Sequence, residues 1–148
     1  FNFSNNIFLL KMMNNFLKIF NLPKGIKKKL VILGLAVFFI YFGIDHFVNP
    51  EFYLSIMPES FPLHHEAVFI SGFFEILGGF GVLVARLRKF AGWGLIALLI
   101  SVYPANIYMA LNSELFPEYS ISLLYFRLAL QFLFFYWAYT VTLPAYNK

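Results

Sequence analysis

The sequence predicts an all-α fold, a four-helix transmembrane bundle with both termini cytoplasmic, from three observations: a very apolar composition, four apolar runs of spanning length, and basic residues confined to one set of helix ends. The chain is 61% hydrophobic and only 12% charged, with a mean hydropathy of +0.75. That is far more apolar than a soluble domain of 148 residues needs for one core. The lipid bilayer is therefore the expected environment. With no cysteine, the chain supplies neither a disulfide nor a thiol redox centre of its own, so any electron chemistry must be borrowed.

The four runs are Leu30–Phe47, Ala67–Ala85, Phe90–Leu111 and Ile121–Leu143. Each is close to the roughly 20 residues a helix needs to cross hydrocarbon. They are continuous rather than alternating, and a helix satisfies its own backbone hydrogen bonds in lipid, so helices are expected and strands are not. Residues 30–143 thus form the transmembrane domain, residues 1–29 a peripheral or disordered segment, and residues 144–148 a short cytoplasmic tail. The N-terminal stretch is too polar for a fifth span and lacks the basic start and cleavage site of a signal peptide. Met12 and Met13 lie just downstream of Phe1, so the chain is either a fragment or begins ahead of its natural start.

Orientation follows from charge. Lys24, Lys27, Lys28 and Lys29 precede the first run, and Arg86, Arg88 and Lys89 fill the loop between the second and third. The other two loops hold Glu51, Glu59, Glu66, Glu114 and Glu118 without lysine or arginine. The basic ends are expected in the cytoplasm of a multi-pass protein of the bacterial inner membrane. The net charge of +4 is explained by this orientation, and nucleic acid is not an expected partner.

Against this apolar background a few polar residues stand out by depth. At about 1.5 Å per residue, Glu75 lies roughly 12 Å inside the outer end of the second helix. Arg127 is similarly placed in the fourth, with Gln131 one turn deeper on the same face. Asp45 and His46 close the first helix, and Asn106 lies near the outer end of the third. A lone charge at a helix centre costs about 2.5–3.5 kcal/mol, so a polar group from every helix at one depth implies a shared pocket. Glu75 and Arg127, the acid and base well inside a span, are the expected ion pair. Gly72, Glu75 and Gly79, spaced i, i+3, i+7, put the carboxylate on a face that admits a close neighbour. Pro104 frees a backbone carbonyl near Asn106 and suggests a kinked third helix. The loop "NPEFYLSIMPESFPLHHEA" is expected to cap the bundle. His64, His65 and Glu66 lack the separated spacing of a closed zinc site, and a haem would need two well-placed imidazoles, so neither metal nor haem is expected.

Glu75, His46, Arg127, Gln131, Asn106 and Asp45 bring an acid, a base, an amide pair and a titratable imidazole together, more than helix register needs, so a functional site is expected. The alternative is a purely packing role, in which each interhelical hydrogen bond contributes on the order of 0.6 kcal/mol.

The ordered set "GIDHFVNPEFYLSIMP", "SGFFEILGGFGVL", "LRKFAGWGLIALLISVYPANIYMAL" and "RLALQFLFFYWA" resembles the DoxX-like membrane proteins over about Val31 to Ala138. The matching positions are Gly43, His46, Pro50, Gly72, Glu75, Gly79, Pro104, Ala105, Asn106, Arg127 and Gln131. Where relatives often carry a proline, this chain has Ala129, so a proline kink in the fourth helix does not carry over. The resemblance implies a four-helix integral membrane fold. Some relatives are subunits of thiosulfate:quinone oxidoreductases or of complexes that work with soluble redox enzymes, and others are membrane chaperones. With that resemblance the expectation is a redox-associated subunit with redox partner subunits, its cofactor open between none and a quinone headgroup. Arg127, Gln131, Asn106 and Asp45 are then the expected ligand-binding groups, and Glu75 and His46 the proton-exchanging catalytic groups. The other expectation is a non-catalytic assembly protein on the same fold.

Overall fold

The computed structural model describes residues 11–12, 19–59 and 61–147. Helix α1 (Ile26–Val48) is followed by a short helix α2 (Pro50–Ser55), and then by α3 (His64–Leu83), α4 (Arg88–Leu111) and α5 (Ile121–Thr140). All but α2 are long and apolar enough to cross a membrane, which supports a multi-pass membrane protein. α1 starts ahead of the expected Leu30 because Lys27–Lys29 are good helix formers whose long stems carry their charges outward. α5 stops short of the expected Leu143, which is extended (φ −69°, ψ 147°) as the residue before Pro144 must be. The proposed boundary at residue 30 therefore cuts into α1, and the peripheral reading of residues 1–18 falls almost wholly outside the described residues.

The described entry segment rests on the basic end of the bundle. Ile19 O accepts from Ala85 N at 3.0 Å in the α3–α4 turn, and Leu22 packs against the adjoining core. At the other end the cap expected from its prolines is α2, whose Phe52 and the following Ile56 join the apolar cluster there.

α1 packs along α3, α3 along α4, and α4 along α5, while α1 and α5 touch little. Each buried stripe repeats every three or four residues, as one helical face requires: Ile32, Leu35, Ala36, Phe39, Gly43 and His46 on α1, and Val68, Gly72, Glu75, Gly79 and Val82 on α3. The α1–α3 contact is closest at its glycines. A Cβ on Gly72 would stand 2.6 Å from His46 Cβ and 2.8 Å from Gly43 O, and one on Gly43 would stand 2.8 Å from Gly72 O. Gly72→Ala is thus expected to force the helices apart and cost about 1–3 kcal/mol, the usual range for overpacking. A thermal-melting series in detergent checks this, and an unchanged melting temperature would contradict the close approach.

Two apolar clusters hold the bundle. The first, at the basic half, joins residues such as Leu35, Phe39, Val82, Leu95 and Ala138. The second, at the acidic end, joins Ile56, Met109, Ala110, Phe116 and Leu124. On α4 the buried stripe of Arg88, Gly92, Leu95 and Leu99 is interrupted until Met109. The interruption faces a cavity between the two clusters. α4 itself continues as helix through Pro104.

Candidate functional site

The cavity encloses about 420 Å³ and draws its wall from all five helices. It is lined by Asp45, His46, Glu75, Asn106, Arg127 and Gln131, so the structure brings together all six residues singled out in the sequence. Its volume falls within the roughly 300–1,000 Å³ usual for small-molecule sites, and its mix of aromatic walls and a few polar groups is of the same kind.

The expected Glu75–Arg127 ion pair is not formed: among the described residues the ionic partner of Glu75 is His46, with Nε2 3.7 Å from Oε2. The reason is the close α1–α3 contact at Gly43 and Gly72, which lays His46 against the carboxylate. Arg127 belongs to the α4–α5 side, where its Nη2 donates to Asn106 Oδ1 at 3.3 Å and its guanidinium lies 5.7 Å from the centre of the Phe52 ring. Depth along a helix brought both charges to one layer. Helix rotation and pairing chose the partners.

The histidine tautomer follows from its neighbours. His46 Nδ1 lies 3.0 Å from Val68 O, and a carbonyl only accepts, so Nδ1 carries a proton. Nε2 then faces the carboxylate at 3.7 Å, a close approach longer than a hydrogen bond. Both groups are buried, at 6% and 8% exposure, and Glu75 Oε2 has no hydrogen-bond partner among the described residues. A buried acceptor without a partner carries a desolvation penalty that a ligand's donor or a transferred proton would relieve.

Asn106 and Gln131 have other work. Asn106 Nδ2 donates to Gln131 Oε1 at 2.7 Å, and Gln131 Nε2 donates to Leu99 O at 2.8 Å. With Arg127 they form a chain of bonds that ties α5 to α4 and leaves the two amides engaged. Of this trio Arg127 keeps the most spare donors, because a guanidinium has five and the structure gives it one bond here, while Asn106 Nδ2 and Gln131 Nε2 each keep one second N–H.

Tyr53, which the sequence reading passed over, joins the site from α2. Its ring stacks on His46 with centroids 3.6 Å apart, and its hydroxyl donates to Asp45 Oδ2 at 2.8 Å. Burial, reinforced by the Asp45 hydrogen bond and negative charge, pushes its phenol well above the ordinary range. The phenol thus stays protonated and keeps donating. Asn49 donates to the other Asp45 oxygen at 2.5 Å, a contact legible in the sequence as an i, i+4 pair. His64, the other described histidine with a hydrogen bond, lies 3.0 Å from Pro58 O.

Fold and site together define a class: a helical bundle with four candidate membrane spans around an apolar-walled cavity that holds a few polar groups, among them a buried His–Glu pair. Residues 35–142, well over half of the chain, match the family described as "Domain of unknown function (DUF8561)", and the protein belongs to that family. No curated protein and no solved structure matches it.

Proposed function

We propose that the protein is a membrane-embedded subunit of a redox complex that holds a quinone headgroup in the cavity between α1, α3, α4 and α5. The observation that carries this reading is the buried His46–Glu75 pair beside an aromatic cavity wall. A quinone is neutral, planar and accepts hydrogen bonds at two carbonyl oxygens, while Phe38, Phe42 and Phe134 offer faces for its ring.

In this site Arg127 would donate to one carbonyl oxygen, and Asn106 and Gln131 would position Arg127 and offer their second N–H groups beside it. His46 and Glu75 would give or take the proton at the other oxygen, as general acid and base. Tyr53 and Asp45 would hold the imidazole in place from the acidic end. A quinone supplies the electron chemistry that the chain's own side chains lack. The DoxX-like motifs support the same reading, with soluble or membrane redox subunits as partners. The basic ends support cytoplasmic termini, and a C-terminal reporter active only outside the cytoplasm would contradict that orientation.

Added ubiquinone or menaquinone analogues are expected to raise the melting temperature of the purified protein by mass action, by ~2.7 kcal/mol at a hundredfold excess over Kd. Arg127→Met is expected to lose that protection. Equal protection of both proteins, or of neither, would favour the second reading, a non-catalytic assembly protein. That reading is favoured by one observation: the engaged amides of Asn106 and Gln131 serve helix pairing.

A further inference from the structure

We infer that the ligand enters and leaves sideways, through the gap between α1 and α5 at the acidic half of the bundle, and that its hydrocarbon tail lies in that gap. The inference rests on the quinone reading of the cavity and adds the route and the chemical class, a long-chain rather than a water-soluble ligand.

The α1–α3 and α4–α5 walls and the acidic end are closed by contacts already described, which leaves the α1–α5 and α3–α4 sides to be told apart by the chemistry of their rims. α1 and α3 meet at Gly43 and Gly72, and α4 and α5 are joined by the chain from Arg127 to Leu99 O. α2 and the residues after it cover the acidic end. The α1–α5 ties sit towards the basic end. Trp137 Nε1 donates to Val31 O at 3.0 Å, its ring lies against Gly34, and Phe38 packs on Phe134 with centroids 4.6 Å apart. Beyond that aromatic pair, among the described residues, no hydrogen bond or ring contact joins α1 to α5.

The Phe38–Phe134 pair is thus the floor of a cleft. Phe42, 39% exposed, and Leu130 stand above it as apolar rims that also line the cavity. Arg127 stands on one side and Asp45 with His46 on the other, so the polar groups that would grip a headgroup flank this opening. The facing α3–α4 rim is different in chemistry, carrying the hydroxyls of Ser71 and Ser101. A cleft at bilayer depth with aromatic rims is filled by hydrocarbon, and a tail continuous with the headgroup fits it without exposing polar backbone.

Photolabelling of the wild-type protein in lipid vesicles tests this with two alkyl-benzoquinone probes, one bearing a diazirine on the ring and one on the end of the tail. The tail probe is expected to label residues 38–42 of α1 and 130–134 of α5, and excess untagged quinone is expected to abolish that label. The ring probe should label the cavity wall. Ring label in the cavity with competed tail label on residues 67–71 and 101–105 would overturn the route while leaving the quinone reading standing. No competed label with either probe would overturn both.

Discussion

Arg88→Met is expected to lower the melting temperature of the purified protein more than any other single charge removal at the basic end. Arg88 is fully buried, at 0% exposure. Its Nε donates to Val82 O at 2.7 Å, its Nη1 to Tyr146 O at 2.8 Å, and its Nη2 to Phe20 O and Leu83 O, both at 3.1 Å. Val82 and Leu83 end α3, so their carbonyls have no partner further along the helix, and a cation there also meets the negative end of the helix dipole. One side chain thus fastens the entry segment, the α3–α4 turn and the C-terminal turn together. Charge-assisted bonds are worth about 1.5–3 kcal/mol each, so losing this set is expected to cost at least ~3 kcal/mol. Arg88→Lys should recover little, because an ammonium is a point donor and cannot reach four carbonyls spread over a guanidinium's plane. Arg86 and Lys89 are exposed, and their Met variants are expected to stay within about 0.5 kcal/mol of wild type. Equal losses for all three would mean the clasp adds nothing.

The second large effect is expected at the buried His46–Glu75 pair. His46→Leu leaves Glu75 buried without its partner, and Glu75→Leu does the same to His46, each at a cost of up to ~3–5 kcal/mol. The double variant removes both groups and should cost less than the sum of the singles by at least ~1 kcal/mol, since residues in direct contact couple. The parallel cycle with Glu75→Leu and Arg127→Met should come out additive to about 0.5 kcal/mol. Strong coupling to Arg127 and none to His46 would contradict the helix pairing described above. Thermal melts in one detergent measure both cycles.

Much of the site was legible before any coordinates because depth is a local property. Counting residues from the end of an apolar run places a side chain in the bilayer to within a turn, and this put Glu75, Asn106, Arg127 and Gln131 in one layer. The i, i+3, i+7 spacing of Gly72, Glu75 and Gly79 likewise foretold the buried face of α3. Tyr53 escaped because its role depends on how α2 folds back over α1, and an aromatic residue in a loop carries no periodic signal.

The sequence by itself therefore determined the number of long helices, the layer in which the polar groups meet and the ends that carry the basic charge, since hydropathy, helical period and charge position are all readable along one chain. Only the tertiary structure decided who pairs with whom. It gave Glu75 to His46, engaged Asn106 with Gln131, and turned Arg88 from a charge expected to set orientation into a buried clasp. Partner choice depends on how closely two helices approach and how each is rotated. Those quantities are set by packing between distant segments, such as the glycine contact of α1 with α3, which no single stretch of sequence contains.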